Sequence, residues 1–176
     1  MKTYEFKNKL FTYLNNKIII DIPELTNKVF RERLKINQPK TPYLVMKSGE
    51  RTRVNKRHER FTKDNKEYTR VQYRLFITFA IHDIRVSPIE SERFSDNVID
   101  YIEKFFLDDE STHSDLSDEG IIVNELLASG VRDTSNFSET NQEFIREIDI
   151  AFEFEDLVEI QSTQGLELET KIQSQA

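Results

Sequence analysis

The sequence predicts an α+β domain in which two long hairpins build an antiparallel sheet and helices pack on one face of it. Three observations carry that expectation. Residues 71–82 and 143–156 alternate apolar and polar side chains with the period of a strand. Between them, residues 88–106 place Val98, Ile99, Ile102, Phe105 and Phe106 on one helical stripe. A chain of 176 residues is the length of one such domain.

Taken in order, residues 4–14 hold Leu10 and Leu14 four apart among polar neighbours, the pattern of a short amphipathic helix laid over a sheet. The β-branched run Ile18-Ile19-Ile20-Asp21-Ile22, stopped by Pro23, reads as a short strand or buried extended segment. From Pro23 to Lys35 the pattern is divided. Pro23 at a first helical position puts Leu25 and Val29 on one face, but Phe30 and Leu34 widen the stripe. Pro39 and Pro42 keep the chain extended into a strand at 43–47. Residues 49–70 carry almost no core-forming side chains and are expected to form a long exposed hairpin tip. The strand after it turns Val71, Tyr73, Leu75, Ile77, Phe79 and Ile81 to the core.

Ser87-Pro88-Ile89-Glu90 has the form of a capping box with proline at the first helical position, which sets the start of the helix at 88. Residues 108–119 are polar and acidic and are expected to be a solvated loop. A strand resumes near Ile121 and continues, bulged at Gly130, to about Arg132. Beyond a turn at 134–141, Phe144, Arg146, Ile148, Ile150, Phe152 and Phe154 alternate with Ile145, Glu147, Asp149, Ala151, Glu153 and Glu155. The acidic members form a stripe on the face away from the core. Domain organisation follows: one unit over 1–158, then a segment 159–176 in which Leu166, Leu168, Thr170 and Ile172 still alternate. That alternation suits an arm pairing with another subunit's sheet edge or a flexible tail.

Charge is divided along the chain. Residues 1–82 carry 19 Lys and Arg against 8 Asp and Glu, a balance of +11, while residues 83–176 carry 6 against 24, a balance of −18. Seven cations, Arg51, Arg53, Lys56, Arg57, Arg60, Lys63 and Lys66, crowd the hairpin tip, partly offset by Glu50, Glu59, Asp64 and Glu67. Such a patch suits an acidic protein surface or a phosphate backbone, or serves only to keep the tip soluble. With Phe61 and Tyr68 alone nearby, stacking on single-stranded bases has little support.

Enzyme chemistry finds few footholds. The chain has no cysteine, and its 4 glycines compare with about twelve at usual frequency, which leaves little room for a Gly-rich phosphate cradle. His58, His82 and His113 sit in separate elements, so His82-Asp83 lacks the further ligands of a metal site. Glu153 and Glu155 share a strand face, but a solvated acidic stripe does not supply the dry pocket that raises a general acid's pKa. The 108–119 segment lacks the ligand spacing and glycine of an EF-hand. No catalytic residue, metal or cofactor is expected. The N-terminal Met-Lys-Thr-Tyr-Glu-Phe-Lys has no signal-peptide core, and the longest apolar stretch, near Leu75–Ile81, falls far short of a bilayer span.

The sequence resembles the tail terminator or neck proteins of tailed bacteriophages. The resemblance is carried by a helix near the N-terminus, Pro39-Lys40-Thr41-Pro42-Tyr43-Leu44-Val45 leading into a strand, and Tyr73-Arg74-Leu75-Phe76-Ile77 after a variable hairpin loop. The amphipathic helix 88–106 and Val131-Arg132-Asp133 leading into the Glu-rich strand 143–156 complete it. It spans about residues 4–158, and its motifs are short. It implies a non-enzymatic virion protein forming a homo-oligomeric ring, typically of six copies. Such a ring caps the tail tube protein and meets head-completion or connector proteins, with genomic DNA passing through the lumen without sequence-specific binding. Assembly would take place in the host cytoplasm, off the membrane. Within that picture the basic tip reaches an acidic surface of a neighbouring subunit or ring, and Glu147, Asp149, Glu153 and Glu155 line the lumen and repel the DNA backbone.

Overall fold

The computed structural model describes residues 1–31, 40–54, 60–64, 66–137 and 142–160. Within them a mostly antiparallel sheet carries three α-helices on one face. The elements are α1 (Thr3–Asp21), β1 (Val29–Arg31), β2 (Tyr43–Arg53), β3 (Arg60–Lys63), β4 (Lys66–Asp83), α2 (Pro88–Glu103), α3 (Glu110–Asp118), β5 (Ile121–Asn124), β6 (Arg132–Asp133), β7 (Asn136–Phe137) and β8 (Gln142–Glu159). The strand order is β1-β2-β4-β8-β5, with β3 beside β4, and β6 and β7 beside β8; β1 runs parallel to β2 and every other pair is antiparallel.

The two expected long strands form the spine. β4 and β8 pair continuously from Tyr68↔Glu159 to Asp83↔Phe144. This register sets Leu75 against Phe152, Ile77 against Ile150 and Phe79 against Ile148 on the helix-covered face. There they meet Phe6, Leu10, Leu14 and Ile18 of α1, Val98, Ile99 and Ile102 of α2, and Leu116 of α3. Aromatic rings knit the layers: Phe6 stacks on Phe154 with centroids 4.6 Å apart, and Phe106 meets Phe79 at 5.2 Å and Phe152 at 5.3 Å.

Several expectations need correction. Ile18–Ile22 is not a strand: α1 runs through to Asp21 as 19 residues. Ile18 continues the i, i+4 row of Phe6, Leu10 and Leu14 into the core, whereas Ile20 is 72% exposed. No helix breaker occurs before Pro23, and a buried row outweighs the weak β preference of isoleucine. The divided segment from 23 resolves into a single 3-10 turn at Pro23–Leu25 followed by β1, with 32–39 outside the described residues. The helix from 88 stands, and continues as a π turn over Lys104–Asp108. Ser87 does occupy its N-cap position with Pro88 next, but the Ser87 side chain caps no amide, so the capping box is not formed.

The expected loop at 108–119 contains α3. The Asp109 carboxylate accepts from the backbone amide and hydroxyl of Ser111 and from the Thr112 hydroxyl, which starts the helix. Gly120, at φ +76°, closes it in the left-handed region. The strand expected from 121 to 132 is broken into β5, a 3-10 turn at Glu125–Leu127 and β6. Ser129 bridges the gap: its backbone N–H donates to Asp149 O at 2.9 Å, and its hydroxyl accepts from the Asp149 backbone N–H at 3.0 Å. The outer edge of β8 is thereby occupied piece by piece rather than by one strand, which blunts it against stray pairing.

Of the exposed hairpin expected at 49–70, the described residues continue β2 to Arg53 and form a three-stranded ribbon from Arg60 on, with 55–59 and 65 outside the described residues. β3 and the first residues of β4 pair around a turn at Asp64, whose φ of +50° lies in the left-handed region, and the end of β8 flanks them. β4 has 18 residues. At about 3.3 Å each it reaches roughly 60 Å, beyond the span of the helix layer. Residues 62–64, 66–67, 70 and 157–159 are exposed accordingly. The C-terminal arm or tail, from 161 on, lies outside the described residues.

Candidate interaction surfaces

The expected basic cluster divides into fastened and open cations. At the base of the ribbon, Arg51 donates from Nη1 to Thr3 Oγ1 at 2.8 Å and lies over the Tyr73 ring, 4.3 Å from its centroid. It therefore pins the start of α1 to the sheet. Lys66 pairs with Glu159 at 3.0 Å, and this contact raises its pKa. Arg53 is exposed. Arg60 and Lys63 on β3 are exposed and make no ion pair with a described residue. Lys56 and Arg57 lie outside the described residues. Beside these cations, the ribbon end of β8 exposes Leu157 at 46% and Val158 at 38%.

Glu147, Asp149, Glu153 and Glu155 do lie on the helix-free face, but as a stripe of free carboxylates the expectation needs correction. The register brings cations from three other strands onto them. Lys47 on β2 reaches Glu147 at 2.8 Å. Arg132 on β6 reaches Asp149 at 2.5 Å and Glu147 at 3.7 Å, and the Thr78 hydroxyl donates to Asp149 at 2.5 Å. Glu153, only 7% exposed, accepts from Arg74 at 2.6 and 2.9 Å, Gln72 at 2.7 Å and Asn124 at 2.8 Å. Glu155 alone of the four is exposed. Burial pushes the Asp149 carboxyl up, yet the hydrogen bonds from Arg132 and Thr78 and the charges of Arg132 and Lys47 prevail, holding its pKa below the usual carboxylate range. Arg132 is correspondingly raised by Asp149. Carboxylates held this way are structural ties rather than a general acid and base.

At the end of the sheet opposite the ribbon, Tyr43 and His82 stack with centroids 4.6 Å apart. His82 Nδ1 lies 2.8 Å from Glu143 Oε1, and the Tyr43 hydroxyl donates to the same oxygen at 3.5 Å. Burial first, then the Glu143 charge and hydrogen bond, push the Tyr43 pKa up to about 12. Here His82 is partnered by a carboxylate. Among the described residues no group of three or more His, Asp or Glu side chains is arranged to hold a metal ion.

The helix layer carries the negative charge. Residues 100–110, where α2 passes through the π turn into α3, hold Asp100, Glu103, Asp108, Asp109 and Glu110 against one cation, Lys104. Asp100, Asp108 and Glu110 are exposed and Glu103 half-buried, and none of these four pairs with a described cation. The acidity of this segment is visible in the sequence, but its placement on a helical surface depends on α3. By contrast Glu92 and Asp96, two turns and one turn earlier than Asp100, are tied to Arg146 at 3.4 and 2.7 Å. Asp133 joins them at 2.8 Å. That cluster, like the pairing of the stripe, was not legible in sequence because Glu92 and Asp96 are 54 and 50 positions from Arg146 and Asp133 belongs to a different strand. No helix among the described residues is long and apolar enough to cross a membrane.

No protein-family model and no curated protein matches this chain.

Proposed function

We propose that the chain is a structural subunit that assembles with copies of itself into a ring, acting as a tail terminator of a tailed bacteriophage. In that role the ring closes the tail tube and meets the head-completion or connector proteins, and genomic DNA passes through its lumen. The observation that carries the reading is that two different uncovered surfaces hold charged side chains forming no ion pair among the described residues. On the ribbon these are Arg60 and Lys63 beside Asp64 and Glu67, and on the α2–α3 junction they are Asp100, Glu103, Asp108 and Glu110. Two different patches that attract one another make a head-to-tail contact, and such contacts close into a ring when the rotation between copies permits. The sequence resemblance to tail terminators supplies the virion setting. The build of the sheet, with its helices on one side, is compatible with it.

Sedimentation velocity with negative-stain imaging of the purified protein tests the reading. A closed ring with a central hole is expected. A chain that stays monomeric at every concentration and does not bind isolated tail tubes rules it out. Imaging of virions labelled on this chain separates a terminator, at the tail tube end, from a head-completion protein one layer above. Arg60 and Lys63, which form no ion pair with a described residue, also favour a second reading, a module that grips nucleic-acid phosphates; this requires retarded DNA mobility at low salt that disappears steeply as salt rises.

A further inference from the structure

We infer that the first two turns of α2 are seated on the sheet through internal water, bound by Asp83, Ser91 and Ser95. This site lies inside one copy of the chain and does not depend on the ring reading. Asp83 closes β4, and the alternation that turns Phe79 and Ile81 into the core turns it toward the helix layer as well. Its side chain is fully buried. Arg85 Nε donates to Asp83 Oδ2 at 2.8 Å, which pairs the charge but leaves Oδ1 with no hydrogen-bond partner among the described residues.

Two hydroxyls share that condition. Ser91 and Ser95 are fully buried, and neither Oγ has a partner among the described residues. They lie four apart on α2 and continue the buried stripe of Val98 and Ile102 toward the start of the helix, so both face the sheet. Contacts on either flank fix where. Toward β8, Arg146 holds Glu92 and Asp96. Toward β4, the Arg85 guanidinium lies over the Phe94 ring, 4.2 Å from its centroid. Arg146 stands opposite Ile81 in the ladder, and Asp83 is the next inward residue of β4. Ser91 and Ser95 are therefore held over the end of the ladder, between Arg146 and the Asp83–Arg85 pair.

The chemistry of the three groups selects the ligand. A carboxylate oxygen only accepts, whereas each hydroxyl can donate and accept. Water complements both, since it donates to Asp83 Oδ1 and exchanges hydrogen bonds with the serines. Ordering a water costs less than leaving buried polar groups unmade, and two or more polar partners are what such a water needs. A metal cation fits less well, because Arg85 already balances Asp83 and a further positive charge would be buried without a counter-ion. Where Val98 and Ile102 complete the layer with apolar atoms, the two serines complete it with water.

A high-resolution crystal structure of the full chain tests this directly. Ordered water is expected within about 2.7–3.2 Å of Asp83 Oδ1 and of at least one of the two hydroxyls. A dry seam, or a direct bond from either hydroxyl to Asp83, overturns the inference. A second measurement needs no crystal. Ser91→Ala combined with Ser95→Ala should lower the melting temperature, because Asp83 Oδ1 loses the water that its neighbours anchored, even though alanine is the better helix former. Hydroxyls that merely lack partners predict the opposite, since removing them relieves a cost. A melting temperature that is unchanged or raised therefore overturns the inference too.

Discussion

Glu153 shows how much of the helix-free face depends on single side chains. It is 7% exposed and receives four hydrogen bonds from Gln72, Arg74 and Asn124. Glu153→Ala would strand a guanidinium and two amides in a partly dry setting. The expected loss is about 2–3 kcal/mol, below the range for a fully buried pair because Arg74 retains some contact with water. Urea unfolding measures it, and a loss under about 0.5 kcal/mol would mean that these bonds are not held in solution. Asp149 makes the matching prediction for pH. Its pKa is lowered in the fold, so its contribution is present above the unfolded value of about 3.9 and is lost as pH falls through the folded value. Asp109 and Asp133, lowered by hydrogen bonds from Ser111 and from Ser135 respectively, act in the same direction. Melting temperature should hold down to about pH 5 and drop below about pH 4, and Asp149→Asn should make that drop shallower. Tyr43 works at the other end of the scale. With its pKa raised to about 12, its contribution is complete below about pH 10 and is lost as pH rises through 12, so Tyr43→Phe should flatten the alkaline limb of the same melts. The partnerships of Glu153, Asp149 and Tyr43 were not legible in the sequence. The alternation of β8 assigned Glu153 to the correct face, but Arg74 lies 79 positions away and only the strand register brings it there.

At the scale of elements, what was legible depended on how many inward positions each one offers. β4, β8 and α2 each bury a long periodic set, and their patterns located them to within a few residues. α3 buries only Thr112 and Leu116, too few to show a period. Its end signals were nevertheless present, as Asp109 before a run of polar helix formers and Gly120 after it. Asp109→Ala should therefore cost about 1 kcal/mol in thermal or urea unfolding, whereas a change of the same kind in a solvated loop would cost almost nothing. The C-terminal half of α1 misled for a different reason, since three adjacent isoleucines favour a strand locally while the core receives only the first fully. Helix and strand make opposite demands here. In a strand Ile18 and Ile20 would share a face and lose comparably on truncation. In α1, Ile18→Ala should cost about 2–4 kcal/mol and Ile20→Ala close to nothing, because Ile20 is 72% exposed. Equal losses at the two positions would reject the helix.

For the whole molecule, the division of charge read from the chain, positive before residue 83 and negative after it, does not translate into two opposed halves. Much of it cancels across the sheet, where Lys47, Arg74 and Arg132 meet Glu147, Asp149 and Glu153, so a stripe that looked able to repel DNA is largely neutralised before any DNA approaches. Among the described residues the charges left without an ion pair are scattered, Arg60 and Lys63 beside Asp64 and Glu67 on the ribbon and Asp100, Asp108 and Glu110 on the α2–α3 junction among them. The basic cluster must then be separated by function. Arg51 ties α1 to the sheet through Thr3 and Tyr73, while Arg60 forms no ion pair with a described residue. Reversing Arg51, Arg53, Arg57 and Arg60 together to glutamate should impair assembly, but it would mix two effects, and the single reversals separate them. Arg51→Glu should lower the melting temperature, since it gives up a hydrogen bond and a cation–π contact of roughly 0.5–1 kcal/mol each at an exposed site. Arg60→Glu should leave the melting temperature of the dissociated chain unchanged and weaken association instead, the more so at low salt, because at physiological ionic strength screening already acts over about 8 Å. Melting and sedimentation velocity on the same two variants read the two effects independently. If Arg60→Glu destabilised the monomer as Arg51→Glu does, the ribbon would be bound up in its own fold, and the charge that survives cancellation would have no work to do between copies.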